Sequence, residues 1–393
     1  MNPEVTIHSV SFGGDGVTSL EGKVCFVEGA LPGERVRVQI LQTKKNLIRA
    51  KVLEILEKSP ARETSPCVYV DRCGGCQYQH VRYEEELQFK QAQTSEVLHK
   101  IGGVDGDLVK PIVSGSSAYG YRNGVTLHFS PPAKVGGLRK KTDGFFGFVG
   151  RDNHSVVPVK SCLLADQRLA SVFGVPLRKK SGVDKMTFKL SEKGEIFPDI
   201  DERFFRIQIG GRPLVASSQG FFQTNLGVTA RIVETLSAWV REAAPDVFFD
   251  LYAGAGTFSF LSAEAVSKVV CVEESRANLD ALRMNCQEQR KTPVPVFAGR
   301  VEKLFSEVFE KEHGAKNMIF MDPPRQGIDA SFAALLSRVN AETIAYLSCD
   351  IATLARDLKI LTNAGHFKVD QVVPFDMFPR TKHIEAMVLL KNI

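Results

Sequence analysis

An apolar strand that runs into a glycine-rich turn and then a helix constrains the fold of this chain more than any other feature. Residues 248–258 read Phe-Phe-Asp-Leu-Tyr-Ala-Gly-Ala-Gly-Thr-Phe, and a second strand-like run, residues 268–272, ends at Glu273. Glycines at such a turn let a ligand approach the backbone, and an acidic side chain at the next strand end can accept hydrogen bonds from ribose hydroxyls. The pattern predicts an α/β domain that binds a nucleotide-like cofactor, although the glycines alone fit a structural turn equally well.

A second segment places a cysteine between a strand-like run and a helix-like run. Residues 344–347 are apolar, Ser348-Cys349-Asp350 follows, and residues 352–358 have helical character. A thiol at a strand end that faces a helix N-terminus can have its thiolate stabilised by unpaired amides and by the helix dipole. Cys349 is therefore a candidate nucleophile, whereas a lone cysteine is more often a buried, inert residue.

A third segment joins a buried strand to a carboxylate and two prolines. Residues 318–321 are apolar, and residues 322–327 read Asp-Pro-Pro-Arg-Gln-Gly. Prolines lack a backbone donor and stiffen the loop, which can hold Asp322 against a planar ring in a cleft. A structural turn is the alternative interpretation of the same residues.

Together these motifs resemble those of a known family. The glycine-rich run resembles the S-adenosylmethionine loop of class I methyltransferases, and Asp-Pro-Pro-Arg-x-Gly resembles their substrate loop. With Ser348-Cys349-Asp350 and residues 378–386, Phe-Pro-Arg-Thr-Lys-His-Ile-Glu-Ala, the chain resembles RNA uracil-5-methyltransferases of the TrmA/RumA type. The resemblance implies a class I, Rossmann-like α/β methyltransferase domain that uses S-adenosylmethionine as its methyl donor.

The resemblance also implies roles for individual residues. Cys349 matches the family's nucleophile and Glu385 matches its general base. Residues 221–225, Phe-Phe-Gln-Thr-Asn, resemble a family segment whose glutamine meets both cofactor and uracil. The residues expected to bind the cofactor are Gln223, Tyr252, Gly254, Gly256, Glu273 and Asp322. The residues expected to bind the uridine or its RNA are Phe221, Gln223, Asp322 and Arg325.

Methylation of uracil at carbon 5 needs residues of these types. Carbon 5 is a poor nucleophile, but addition of a thiolate to carbon 6 gives an enolate whose carbon 5 can take a methyl group from a sulfonium. A carboxylate must then remove the carbon-5 proton before the thiolate leaves, and Glu385 is the candidate. Asp322 and Gln223 would hold the uracil edge and stabilise charge on its carbonyls.

The N-terminal residues 1–58 alternate in the manner of short β-strands, with Val36, Val38 and Ile40 expected to face inward. The basic side chains that add to a positive surface are Lys44, Lys45, Arg49 and Lys51. The pattern predicts a small β-barrel that binds RNA, although a solvated basic face without a ligand is the alternative. The stretch resembles a TRAM domain, an OB-like RNA-binding barrel.

Four of the eight cysteines form a further group, namely Cys67, Cys73, Cys76 and the distant Cys162. Thiolates at short spacing around two glycines can wrap one metal centre, and spacing alone favours zinc and an iron–sulfur cluster equally, with disulfides behind. The resemblance implies a [4Fe-4S] cluster, since one branch of the family binds it with a Cys-x5-Cys-Gly-Gly-Cys motif and a later cysteine. Its role would be structural or RNA-facing, because methyl transfer needs no electron.

Segments between these motifs suggest a division into domains. Residues 79–110 have the pattern of an amphipathic helix, and residues 111–215 that of strands, with turn signals at Pro131-Pro132 and Gly136-Gly137. Two strand-like runs, residues 125–129 and 144–148, are expected to form a hairpin. The three predicted domains are a TRAM-like barrel over 1–58, a mostly β central iron–sulfur domain over 59–78 and 111–215, and a methyltransferase domain over 79–110 and 216–393.

Composition is ordinary for a soluble protein with a sizeable core. The 393 residues are 44% hydrophobic and 24% charged, with a formal net charge of +5. No apolar run approaches the roughly twenty residues of a membrane span, and the N-terminus lacks a signal-peptide pattern. We therefore expect a cytoplasmic protein without a membrane partner, and we predict a monomer.

Three functional classes fit the sequence. The leading one is an RNA methyltransferase that makes 5-methyluridine through a Cys349 adduct; the cluster motif and barrel favour 23S ribosomal RNA, with transfer RNA as the alternative. The second methylates an exocyclic amine, because Asp-Pro-Pro loops also serve that chemistry. The third is a non-catalytic or redox iron–sulfur protein that binds RNA. Neither alternative requires Cys349 and Glu385 together.

Overall fold

A computed structural model of the chain describes residues 2–130, 134–135, 138–139, 144–174, 184–289 and 293–393. The predicted turns Pro131-Pro132 and Gly136-Gly137 lie outside the described residues. The chain forms two compact units. The first unit comprises Met1–Gln93, Phe148–Val157 and Phe378–His383, and the second comprises Thr94–Gly147, Pro158–Met377 and Ile384–Ile393. The finer division into three domains stays a prediction.

A six-stranded sheet in the order β1-β5-β6-β4-β3-β2 forms the body of the first unit. Its strands are β1 (Glu4–Thr6), β2 (Ser9–Val10), β3 (Gly16–Leu20), β4 (Lys23–Glu28), β5 (Arg35–Thr43) and β6 (Leu47–Glu57). Val36 and Val38 are buried in its core, as the alternation predicts. Ile40 is 39% exposed instead: it lies on the same face as Val38 and pairs with the buried Ala50, but β5 extends beyond the core from Gln39 to Thr43, where every residue is exposed.

Strands also dominate the middle of the chain. They are β7 (Gly124–Ser130), β8 (Lys134–Val135), β9 (Leu138–Arg139), β10 (Phe145–Val149), β11 (Val156–Val157), β12 (Lys185–Leu190), β13 (Ile196–Pro198), β14 (Phe204–Ile209) and β15 (Arg212–Ser217). β7 pairs antiparallel with β10 and with β12, which confirms that the runs 125–129 and 144–148 are neighbouring strands. β14 and β15 form a separate antiparallel hairpin.

A seven-stranded mixed sheet in the order β18-β17-β16-β19-β20-β22-β21 forms the centre of the second unit. Its strands are β16 (Val247–Leu251), β17 (Lys268–Glu273), β18 (Val296–Ala298), β19 (Asn317–Met321), β20 (Thr343–Ser348), β21 (Phe367–Phe375) and β22 (Glu385–Asn392). The strands from β16 to β20 pair in parallel, whereas β22 runs antiparallel between β20 and β21. Every residue of β16, β19 and β20 is buried, which explains their nearly continuous apolar sequences.

The helices are α1 (Tyr83–Gly102), α2 (Leu226–Ala243), α3 (Thr257–Ser262), α4 (Arg276–Gln289), α5 (Val301–Glu312), α6 (Ala330–Leu336) and α7 (Ile351–Asn363). The predicted helix within residues 79–110 is α1. Buried side chains of α5, α6 and α7, such as Phe305, Phe332 and Leu358, join the core of the mixed sheet. No helix among the residues that the structure describes has the length and apolarity needed to cross a membrane.

Candidate active site

The carboxyl edge of the mixed sheet gathers the predicted catalytic residues. Asp322 directly follows β19, and Cys349 directly follows the neighbouring strand β20. Because β22 is antiparallel, it begins at this same edge. Its register pairs Ser348 with Ala386, so Cys349, one residue after Ser348, lies across from Glu385, one residue before Ala386. Residues far apart in the sequence thus meet at one edge.

Negative charge accumulates around the Cys349 thiol. Burial, and then the charges of Glu385 and Asp322, raise the pKa of Cys349 to about 11, while the Arg325 guanidinium acts in the opposite direction. The expected stabilisation of the thiolate by the helix N-terminus is therefore outweighed. Asp350 caps α7 instead, because its side chain accepts the Thr353 backbone N–H at 2.9 Å.

The two carboxyl groups at this edge hold protons more tightly than ordinary acids. Burial raises the pKa of Glu385 to about 7, and Arg325 partly opposes the rise. Burial, and then the charges of Glu385 and Asp250, raise the pKa of Asp322 well above its usual range. Two like charges in a poorly solvated site disfavour double ionisation, so a proton is retained near neutral pH.

Gln223 joins this group from a distant part of the chain. Its Nε2 donates a hydrogen bond to Asp322 Oδ2 at 3.1 Å, and its side chain is buried. Lys189 Nζ donates to the Ser217 carbonyl at 3.0 Å, which ties down the turn just before this segment. Phe221 is 66% exposed and Arg325 is also exposed, so both side chains are accessible to a large ligand.

The glycine-rich turn after β16 has the backbone geometry of a ligand cradle. Tyr252, Gly254 and Gly256 all have positive φ, at 65°, 58° and 85°. A Cβ on Gly256 would lie 2.1 Å from the Phe260 ring, so only glycine fits there. Beside Gly254 no atom lies within 4 Å of the position of a Cβ, which leaves room for a ligand to approach the backbone.

Glu273, at the end of β17, organises this turn. Its Oε2 accepts the Gly254 backbone N–H at 2.7 Å, and its Oε1 accepts that of Ser275 at 2.7 Å. Each carboxylate oxygen can accept a further hydrogen bond, so ribose hydroxyls remain compatible with this side chain. Tyr252 donates its hydroxyl to Glu302 Oε1 at 2.7 Å, and its half-buried side chain packs against the core of the mixed sheet.

Asp250 is a candidate that the sequence analysis did not select. It is buried in β16 and accepts hydrogen bonds from the backbone N–H and hydroxyl of Ser259. Burial raises the pKa of Asp250 to about 7, and its Oδ1 has no hydrogen-bond partner among the described residues. The detectable signal was a lone acid inside an apolar strand, directly before the glycine-rich turn.

The cysteines predicted to bind a cluster are all half-buried. Cys67, Cys73 and Cys76 belong to the first unit and Cys162 to the second. Gln79 Nε2 donates to Cys76 Sγ at 3.5 Å, a contact of the kind that amides make with metal-bound sulfurs. Over the residues with assigned structure, no group of three or more His, Cys, Asp or Glu side chains is arranged to hold a metal ion.

Comparison with known proteins identifies families for both ends of the chain. A family model described as tRNA (uracil-5-)-methyltransferase matches residues 191–393, and a TRAM domain model matches residues 3–53. The 23S rRNA (uracil(1939)-C(5))-methyltransferase RlmD of Aliivibrio fischeri is 28% identical over 434 residues, covering 99% of this chain and 96% of that protein. An uncharacterised RNA methyltransferase of Synechocystis is 27% identical over 453 residues, covering 99% and 96%.

A solved structure shares the fold. The Pyrococcus abyssi tRNA (uracil-54, C5)-methyltransferase, in complex with S-adenosyl-L-homocysteine, matches with a TM-score of 0.71 and 21% sequence identity. The match covers 98% of this chain and 99% of that chain. The predicted combination of a Rossmann-like methyltransferase domain, an N-terminal TRAM domain and a β-rich central region is therefore confirmed.

Proposed function

Because this chain belongs to the tRNA (uracil-5-)-methyltransferase family, we propose that it methylates carbon 5 of a specific uridine in 23S ribosomal RNA through a covalent adduct with Cys349. The observation that carries this proposal is the β20–β22 register, which pairs Ser348 with Ala386 and so aligns Cys349 with Glu385. A nucleophile and a general base at one edge are what carbon-5 methylation of uracil requires.

Cys349 would act in the first step of the reaction and Glu385 in the last. Because the pKa of Cys349 is raised to about 11, the thiol must first lose its proton, which would pass to water; the thiolate then forms a bond to carbon 6, and the ring electrons move toward the carbon-4 oxygen. Carbon 5 would then take the methyl group from the sulfonium of the bound donor, whose sulfur–methyl bond breaks to leave a neutral thioether, while carbon 5 still holds its own proton. Glu385 removes that proton, the electrons return to the ring, and the carbon–sulfur bond breaks to release the thiolate. A base with a pKa near 7 is suited to this step near neutral pH.

Asp322 and Gln223 would hold the uracil edge. Burial and neighbouring carboxylates raise the pKa of Asp322, which favours its protonated form, the form that can donate a hydrogen bond to a uracil carbonyl. Gln223 fixes the orientation of this group through the 3.1 Å contact between its Nε2 and Asp322 Oδ2. Phe221 and Arg325, both exposed, would contact the base or its neighbours after the uridine leaves its stack.

S-adenosylmethionine supplies the methyl group as a sulfonium substituent when it is bound. The residues proposed to hold it are Gln223, Tyr252, Gly254, Gly256, Glu273 and Asp322. Their fit is supported by the open space beside Gly254, by the acceptor capacity left on Glu273 and by the buried Oδ1 of Asp250, which has no partner among the described residues.

The choice of 23S ribosomal RNA is supported by the relative that acts on it. The match to the Aliivibrio fischeri protein spans 99% of this chain and includes its N-terminal part. The TRAM domain at residues 3–53 supplies a second region for contact with RNA. Transfer RNA is the alternative substrate, and the monomeric state and cytoplasmic location stay predictions.

A [4Fe-4S] cluster on Cys67, Cys73, Cys76 and Cys162 is part of this proposal. The resemblance of the Cys-x5-Cys-Gly-Gly-Cys motif to that of one branch of the family supports it, whereas spacing alone fits zinc equally well, and no step of methyl transfer uses it. Protein purified without oxygen should be brown and contain iron and sulfide. A Cys67→Ser variant should lose the colour, whereas Cys286→Ser, a change in α4, should keep it. Colourless wild-type protein containing zinc would contradict the cluster.

Trapping with RNA that contains 5-fluorouridine tests the function directly. Fluorine at carbon 5 cannot be removed as a proton, so the Cys349 adduct persists after methyl transfer and migrates as a conjugate on a denaturing gel. The conjugate should require S-adenosylmethionine and should map to Cys349 by mass spectrometry. We expect it with 23S fragments and not with transfer RNA transcripts; the reverse result would assign the alternative substrate.

Cysteine variants distinguish the covalent mechanism from methylation of an exocyclic amine. Cys349→Ala should lower methyl transfer by about 10⁴-fold or more, because the covalent step is lost. Cys286→Ala, the matched control, should retain both conjugate and activity. An active Cys349→Ala protein would instead favour methylation of an exocyclic amine, which needs no thiolate.

A further inference from the structure

The loop that carries Arg325 is short and is held near both ends. The Asp322 backbone N–H donates to the Leu251 carbonyl at 3.4 Å, which fixes the beginning of the loop beside β16. The Gly327 N–H donates to the Pro324 carbonyl at 2.8 Å, which closes a turn around Arg325. The position of Arg325 therefore depends on what holds the far end of this turn.

Asp357 of α7 is a buried acid that the proposed reaction does not use. Its carboxylate is fully buried, yet it has a complete set of partners. Its Oδ2 accepts the Tyr346 hydroxyl at 2.8 Å and the Ile328 backbone N–H at 3.1 Å. Its Oδ1 accepts Arg356 Nε at 2.8 Å. A buried charge that is paired and fully hydrogen-bonded restricts its surroundings to one arrangement.

Arg356 extends this contact to the loop itself. Its Nη2 donates to the Gln326 carbonyl at 2.9 Å and to Asp357 Oδ1 at 2.6 Å, with a longer contact of 3.3 Å to the Ile328 carbonyl. Gly327 lies against the same carboxylate with a φ of 72°, and a Cβ there would be 2.3 Å from Asp357 Oδ2. The acid thus shapes three consecutive residues of the loop.

We propose that Asp357 is a positioning residue, which together with Arg356 holds residues 326–328 so that the Arg325 guanidinium stays beside Cys349 and Glu385. This inference rests on the proposed function, since it assigns Arg325 a place next to the reacting sulfur. The charged groups that face Cys349 are the carboxyls of Glu385 and Asp322 and this guanidinium. If the loop moved away, the thiol would keep its two acidic neighbours and lose its cation.

The rate of Cys349 alkylation by iodoacetamide tests the proposal without RNA or methyl donor. In Asp357→Asn the pKa of Cys349 should rise by about 1, because an opposite charge leaves its surroundings. Below that pKa the thiolate fraction and the alkylation rate should fall about tenfold, while the slope against pH stays the same. Mass spectrometry follows the Cys349 peptide, and the Cys286 peptide of the same protein is the internal control.

A double-mutant cycle separates positioning from general damage. Arg325→Gln should slow alkylation as Asp357→Asn does, and the double variant should be no slower than Arg325→Gln alone. Gly327→Ala, whose Cβ would collide with Asp357 Oδ2 and so displace the loop without removing the Asp357 carboxyl, should reproduce the effect. If Asp357→Asn slows alkylation equally with and without Arg325, or changes nothing in the wild-type background, the proposal is overturned.

Two further measurements keep the outcomes distinct. If Asp357→Asn fails to fold, Tyr346→Phe provides a second variant, because it removes one hydrogen bond to Asp357 without changing charge. It should raise the pKa of Cys349 by less than Asp357→Asn would. If the pKa of Cys349 changes neither in folded Tyr346→Phe nor in Gly327→Ala, the proposal is refuted. Because alkylation needs neither substrate, a protein without uracil methylation could still show the full cycle. Failure of the inference and failure of the proposed function therefore give different results.

Discussion

Two buried glutamates, one in each unit of the molecule, differ in the partners of their carboxylates. Glu34 in the first unit is 0% exposed and accepts the Leu31 backbone N–H at 2.9 Å and Arg62 Nη2 at 2.8 Å. Glu385 in the second unit is 3% exposed, and burial raises its pKa to about 7 despite the opposing charge of Arg325. The first carboxylate is compensated by an ion pair, whereas the second is not.

The two surroundings have different consequences for a buried carboxylate. A carboxylate with a bound cation and backbone donors stays charged and fixes the chain around it. A carboxylate that lacks such partners gains and loses a proton near neutral pH, which suits a base. Under the proposed function, this second arrangement gives Glu385 a pKa of about 7, which suits removal of the carbon-5 proton.

The largest expected effect is on turnover. Glu385→Gln should lower kcat by about 10³-fold, because the amide cannot take the carbon-5 proton. Methyl transfer in a single turnover should persist, and the Cys349 adduct should accumulate on ordinary uridine RNA. Rapid-quench sampling on denaturing gels measures both quantities. Glu310→Gln, at an exposed position of α5, is the control and should behave as wild type.

The second effect is a loss of stability in the first unit. Glu34→Gln leaves the half-buried Arg62 without its anion and should lower the free energy of unfolding by about 3 kcal/mol. Urea denaturation followed by circular dichroism measures the change. A loss of less than about 1 kcal/mol would mean that Glu34 is no better compensated than Glu385, and the contrast between them would fail.

The third effect is a gain of stability rather than a loss, and it concerns Glu385→Gln above neutral pH. Since the pKa of Glu385 is raised from 4.5 to about 7 in the folded state, the folded protein binds more protons than the unfolded chain between these values. Wild-type stability should therefore fall as the pH rises from about 5 to about 7. Glu385→Gln lacks this loss, so its Tm should exceed that of wild type by a few degrees at about pH 8 and match it at about pH 4. Equal values of Tm at both would contradict the uncompensated state of Glu385.

The smallest effect is expected at the surface of the first unit. Arg37 pairs with Glu4 at 2.8 Å and with Glu54, and all three side chains are well exposed. Solvent screens such pairs, so Arg37→Ala should leave the thermal melt within the scatter of repeated measurements. A shift as large as that of Glu34→Gln would show that burial is not what separates the two kinds of ion pair.

Much of the fold could be predicted from local sequence. The apolar runs before Tyr252, Asp322 and Cys349 are strands because a covered parallel sheet buries both faces of each strand. The exposure of Ile40 was not predicted, since the alternation of one strand does not show where that strand extends beyond the core. Local patterns do not contain the neighbouring elements that decide where the core ends.

The candidate site was accessible mainly through motif resemblance. No local signal predicts that Glu385 lies across from Cys349, because that depends on an antiparallel strand inserted beside β20. The role of Asp357 was hidden for the same reason: its partners Tyr346 and Ile328 come from other segments. A single sequence shows which residues could do chemistry, but tertiary pairing decides which of them meet.

The face of the sheet on which Glu385 lies depends on whether an odd or an even number of residues separates it from the paired part of β22. Successive side chains of a strand point to opposite faces, so one residue inserted or deleted in β22 beyond Glu385, with the rest of its pairing preserved, would turn that carboxylate to the other face of the sheet. A change of two residues would restore the face but slide the carboxylate along the strand by about 6.6 Å. The number of residues between Glu385 and the paired part of β22 is therefore fixed by the position of the carboxylate.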